Sequence, residues 1–219
     1  QLPGMFLDGV VVVTADKPLQ RMLTELEARM PVVYMDKFDP SPRQHTVCSD
    51  HYSSGYLAAQ HFLARGRRRL AFLGGDVAPL RERLRGYRKA MEEANVAPEE
   101  HLLLLNNRDT STLSAITRIV RAGADSIFAP GTSFQAIECL HVLSYVMGLR
   151  VPQQIALIGG ENHGISTYQN PPLTTIEEPL QEMAEQAANM LEQLTAHMDD
   201  ATRAHVTLPV RLIARDSTA

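Results

Sequence analysis

Five polar residues occupy similar places in the chain: Asp50, Arg83, Thr132, Glu161 and Glu178 each follow a short apolar run or stand at a turn entering a helical stretch. In a parallel α/β sheet, such positions face the crevice at the carboxyl ends of the strands, where these sheets hold ligands. Carboxylates accept from adjacent hydroxyls, and a guanidinium donates to hydroxyl or carboxylate oxygens, so their convergence suits a polyhydroxylated small molecule. The three acids also have plainer roles: Asp50 as a helix N-cap, Glu161 as a solvated loop residue, Glu178 as a first-turn acid favoured by the helix dipole. There is no tryptophan, so Phe134 or Tyr168 would have to supply any aromatic face for a sugar ring.

Other chemistries find little support. The chain has no G-x-G-x-x-G, Walker A or G-x-S-x-G pattern, and the glycine pairs at 74–75 and 159–160 read as turn chemistry. Its eight histidines show no H-x-x-x-H spacing and no Cys/His cluster, so neither a metal nor a cofactor is expected. Ser49, Asp50 and His51 are adjacent, and neighbours on a strand point apart, which argues against a catalytic triad. The expectation is a binding protein, not an enzyme.

These residues must be carried by an alternation of strands and helices. Val10–Val13, Val32–Met35, Thr46–Cys48, Leu70–Leu73, Leu102–Leu105, Ser126–Ala129 and Ile155–Ile158 are short apolar runs that read as strands. Between them lie amphipathic stripes. Leu19, Met22, Leu23, Leu26 and Met30 form one, and Tyr52, Tyr56, Ala59 and Leu63 form another, closed by Gly66. Arg83 lies on a helix with Leu84, Tyr87 and Met91, entered from Gly74-Gly75 through a loop reaching Pro79. Further helices are expected over Thr110–Arg121, with Leu113, Ile116 and Val120 inward, over Ser133–Met147, and over Glu182–Ala196. Val206–Leu208 and Arg211–Ile213 read as closing strands. Such a rhythm predicts an α/β fold of parallel sheets covered by helices on both faces.

Composition narrows the function. At 219 residues and 44% hydrophobic, the chain can build a sizeable core of one or two domains. A net charge of −4 argues against these residues forming a nucleic-acid surface. Cys48 and Cys139 lie in separate elements and read as buried free thiols of a reducing cytoplasm. There is no long apolar run or signal pattern, so no membrane partner is expected.

The runs VCSDHYSSGYLAAQHFLARGRRRLAFLGG, RERLRGYRKAMEEANV, GLRVPQQIALIGG, PPLTTIEEPLQEMAEQAANML and LPVRLIARDST, in this order, resemble the effector-binding core of the lactose and galactose repressor (LacI/GalR) family of bacterial transcription regulators. The resemblance covers essentially the whole chain. It implies two Rossmann-like subdomains of periplasmic-binding-protein type I architecture, joined by three crossings, with the effector in the cleft. On this basis residues 1–66 with 178–199 form an N-subdomain lacking its first β-α-β, and 67–177 with 200–219 a C-subdomain. Asp50 takes the place of the family's acidic residue after a strand, Arg83 that of the arginine before a Gly-aromatic pair, and Glu161 that of a loop aspartate. Thr132 falls where many members carry Asp, and Glu178 near the crossing back to the first subdomain. The chain also departs from the family: His51, Arg67 and Gly160-Glu161-Asn162 replace more usual residues.

The resemblance further implies a sugar or sugar-derivative effector, a homodimer, a cytoplasmic location, and operator DNA as a partner reached through a helix-turn-helix not contained in these residues. A solute-binding protein of a sugar transporter has the same architecture and is the alternative. An arginine that grips the ligand would lower affinity when replaced by alanine and barely alter stability in the absence of ligand, which is the expectation for Arg83.

Overall fold

In the computed structural model the chain divides into two compact units, and residues 7–13, 20–36, 44–106, 111–131, 133–160, 164–196 and 204–219 are described. The first unit comprises residues 1–50 and 179–209, and the second residues 51–178 and 210–219. Both are α/β, the first with an all-parallel sheet and the second with a parallel sheet that carries one antiparallel edge strand.

The first unit has a four-stranded sheet of β1 (Val10–Val12), β2 (Val32–Met35), β3 (His45–Ser49) and β9 (His205–Leu208), in the order β1-β2-β3-β9. All three pairings are parallel. Strand alternation sorts its side chains between two helices. Val33 and Val47 face α6 (Leu180–Ala196), where Met183, Ala187, Met190 and Leu194 form the buried stripe. Val32 and Tyr34 point the other way and meet Leu23 of α1 (Gln20–Glu27).

The second unit is built on six strands: β4 (Leu70–Gly75), β5 (Leu103–Asn106), β6 (Ser126–Ala129), β7 (Ala156–Gly160), β8 (Thr174–Glu177) and β10 (Arg211–Ile213). Their order is β10-β8-β7-β6-β4-β5, with β10 alone antiparallel. Alternation again makes two cores. Ala71, Leu73, Ile127, Ala129 and Leu157 pack beneath α4 (Thr112–Arg121) and α5 (Ser133–His141). Leu70, Phe72, Phe128 and Ile158 pack against α2 (His51–Ala64) and α3 (Ala78–Glu93). Phe72, Tyr87 and Phe128 form an aromatic trio with centroids 5.7–5.8 Å apart. The Tyr87 hydroxyl donates to the Ala71 carbonyl at 3.1 Å, giving its one polar atom a partner in the core.

Several expectations are corrected here. The unit boundary falls at Asp50–His51 and not at Gly66, because Ala58, Ala59 and Phe62 of α2 pack into the core holding Phe72 and Tyr87. Residues 204–209 belong to the first unit, since β9 pairs with β3. Leu113 is 46% exposed; Ala115, Ile116 and Ile119 form the buried stripe of α4. The helix starting at Ser133 is α-helical only to His141 and continues as a π-turn over Val142–Val146. Gly159 and Gly160 end β7 and are not loop residues. Gly66 and Gly148 both have positive φ, as helix-stopping glycines require. Among the described residues no helix is long and apolar enough to cross a membrane.

Candidate functional site

The best-built polar cluster lies in the second unit around Arg83. After β4 the chain turns through Asp76-Val77, and Pro79 sits in the first turn of α3, where its missing N–H costs nothing. Leu80, Leu84, Tyr87 and Met91 then share the buried face, and Arg83 lies among them with 5% of its surface exposed.

Two glycines fix the position of this stretch. A methyl group at Gly55 would stand 1.7 Å from the Arg83 carbonyl oxygen, and one at Gly86 would stand 2.0 Å from that of Tyr52. The backbones of α2 and α3 therefore touch directly at Arg83, each helix offering its glycine to the other. The guanidinium is placed by a backbone that has no room to shift.

From there Arg83 reaches three partners. Nη1 donates to the Pro130 carbonyl at the end of β6, and Nη2 donates to Glu178 Oε1. Nη2 also lies 3.3 Å from Nδ1 of His51, the first residue of α2, itself 2% exposed. The Arg83 and Glu178 side chains are only 6% and 4% exposed, so this is a buried, charge-assisted pair. Buried and without a hydrogen-bond partner among the described residues are Arg83 Nε, Ser54 Oγ on α2 and Gln135 Oε1 on α5. Buried polar groups are rarely left so, and these three atoms carry unmet hydrogen-bonding capacity. At Gly160 an added methyl would press to 2.7 Å from the Pro130 oxygen, so only glycine lets β7 end beside the carbonyl that Arg83 grips.

The sequence-predicted residues fare unequally. Arg83 and Glu178 are brought together, and Glu178 is a buried ion-pair partner of the arginine. Burial of the pair argues against the expectation that Arg83 can be lost without a cost in stability. Asp50 is half-buried in the first unit, where its N–H donates to the Leu208 carbonyl at 2.8 Å. Phe134 and Tyr168 are 75% and 86% exposed. Thr132 and Glu161 lie outside the described residues. His51 and Ser54 were missed; their signal is i, i+3 spacing at the start of the helix that follows Asp50. The thiols of Cys48 and Cys139 are both buried and free. Burial raises the Cys48 thiol and pushes that of Cys139 up to about 12, the reverse of an activated nucleophile.

Residues 59–218 match the periplasmic binding protein-like domain family. The chain is 29% identical to the HTH-type transcriptional repressor PurR of Aliivibrio fischeri strain MJ11 over 217 residues, covering 96% of the chain and 64% of the relative. It is also 29% identical to the HTH-type transcriptional regulator CelR of Thermobifida fusca, covering 99% of the chain and 65% of the relative. It thus spans just under two thirds of the length of these curated relatives. The solved complex of transcriptional regulator CelR with cellobiose superposes with a TM-score of 0.85 at 27% identity, over 99% of this chain and 67% of that one. A putative LacI-family regulator from Sanguibacter keddieii gives 0.75 at 28% identity, over 86% and 74%.

Proposed function

We propose, from the premise that this chain belongs to the periplasmic binding protein-like family as the effector-binding core of a LacI-family regulator, that its effector is a polyhydroxylated small molecule, a sugar or sugar derivative. The observation that carries this reading is the Arg83 cluster. It includes hydrogen-bonding atoms that have no partner among the described residues, namely Arg83 Nε and Ser54 Oγ. Such atoms suit the hydroxyl oxygens of a sugar. The cellobiose held by the CelR neighbour supports the same class. The relatives named above are transcriptional regulators, which favours this reading over a solute receptor of a transporter.

In the whole protein, effector binding biases operator recognition by a DNA-binding segment outside these residues, and the protein pairs as a homodimer. A ligand can shift such an equilibrium only by its differential affinity for two states, so binding and switching are one event. The test is a thermal and calorimetric titration with ribose, glucose, galactose and cellobiose, followed by operator binding with and without the sugar that binds. At a hundredfold excess over Kd, a ligand specific for the folded state adds about 2.7 kcal/mol of stability. Saturable heat and a raised Tm with one of these sugars are expected. A flat response to all four would refute the reading.

A further inference from the structure

We propose that the effector carries no net charge, and that Glu178 is the residue that imposes this; the inference rests on the reading of the Arg83 cluster as the effector site. An anionic ligand such as a sugar acid or sugar phosphate is gripped by an arginine through the fork of its two terminal nitrogens, which presents paired N–H donors and a full positive charge. Neither is on offer here. Nη1 is given to the Pro130 carbonyl and Nη2 to Glu178 and His51. The positive charge is matched by the Glu178 carboxylate, with both side chains more than nine-tenths buried.

Three of the five N–H groups of Arg83 are engaged in this way, and Nε is its one nitrogen with no partner among the described residues. Helix α2, packed directly on α3, contributes Ser54 Oγ, a neutral hydroxyl that can donate or accept, also without a partner among the described residues. An unpartnered Nε–H on a guanidinium whose charge is already paired, together with the neutral hydroxyl of Ser54, suits a hydroxyl or ring oxygen. It does not complement a carboxylate or a phosphate. A second anion would have two routes in. It could share Arg83 with Glu178, leaving two negative charges against one positive where water is excluded, or it could displace Glu178 and strand a buried carboxylate. Both are unfavourable, so the pair selects against charged analogues of an otherwise suitable sugar.

The experiment is calorimetric titration of the full chain with matched neutral and anionic probes: glucose and gluconate, galactose and galactonate, ribose and ribose 5-phosphate. The expected result for the wild-type protein is binding of at least one neutral member, its anionic counterpart binding tenfold or more weakly. In Glu178→Gln, which keeps the side-chain shape and removes the carboxylate charge paired with Arg83, the ratio of anion to neutral affinity should rise by about tenfold or more. An anion that binds the wild-type protein as tightly as its neutral partner would overturn the proposal without any need for the variant. An unchanged ratio in a folded Glu178→Gln protein would overturn it as well. A panel in which neither kind of probe binds would fail differently: it would remove the sugar-sensor reading itself, and this inference with it.

Discussion

The Arg83–Glu178 pair makes a quantitative prediction about stability. Its side chains are 6% and 4% exposed, and the guanidinium is also committed to the Pro130 carbonyl. Removing either partner alone leaves a charge in a site closed to water, and breaking a buried pair in this way costs about 3–5 kcal/mol. For a protein of this size each kilocalorie moves Tm by roughly 2–4 °C, so Arg83→Met or Glu178→Met should lower it by about 6–20 °C. Replacing both with methionine exchanges a desolvated pair for apolar packing, and such exchanges are often near neutral. The double variant should therefore be more stable than either single one, and with singles costing about 3–5 kcal/mol each and a near-neutral double the coupling energy is on the order of 6–10 kcal/mol. Urea unfolding followed by circular dichroism on wild type, both singles and the double measures the full cycle. Single variants within about 1 kcal/mol of wild type, or a double variant whose loss is the sum of the two, would refute the buried-pair argument.

The glycine crossing should be equally intolerant: Gly55→Ala and Gly86→Ala each place a methyl against a backbone carbonyl, 1.7 and 2.0 Å away. Each should cost at least about 2–3 kcal/mol in the same unfolding assay, and a neutral alanine at either site would contradict the direct contact of α2 and α3. Ser217→Ala removes a fully buried hydroxyl that donates to the Leu157 carbonyl at 2.6 Å and accepts from the Thr174 N–H at 2.8 Å. A loss of about 1–3 kcal/mol is expected in thermal melts. The His61 imidazole is brought down to about 4 from 6.5, chiefly by burial and further by the Arg65 charge. The unfolded chain therefore takes up this proton first as pH falls. The stability concerned is fully present above about pH 6.5 and is lost as pH falls through about 4. Its size is on the order of 1–2 kcal/mol, since partial solvent contact screens the effect. His61→Gln should flatten that part of the stability–pH curve, and an unchanged curve would show that His61 does not contribute.

The strands were legible where apolar side chains fill both faces, as in Leu70–Leu73, and helices where one stripe dominates, as in Met183, Ala187, Met190 and Leu194. β8 was not. Thr174 and Thr175 look like loop residues after Pro171-Pro172, and they can be buried only because partners forty residues away complete their hydrogen bonds. The Thr174 hydroxyl meets the Arg215 carbonyl and the Thr218 hydroxyl, and Arg215 Nη1 reaches Thr175 Oγ1. In α4, small Ala115 turns the buried stripe away from Leu113, a choice set by the facing sheet and not by the hydropathy of the helix. Arg83 could be singled out from its place before Gly86-Tyr87. Its engagement with Glu178, 95 positions further along, could not, because no local pattern links a mid-helix arginine to the residue after an unrecognised strand.

The junction Leu208–Pro209–Val210 has a consequence for synthesis on the ribosome. Two residues separate β9, which completes the first sheet beside β3, from β10, which completes the second beside β8. Both sheets thus wait for one short segment near residue 210, so the nascent chain holds two unfinished edges until that segment has emerged. β3, with Val47 wholly buried in the finished protein, would present its open side to every neighbouring chain during that interval. A chain cut short anywhere before residue 204 therefore lacks the closing strands of both sheets at once.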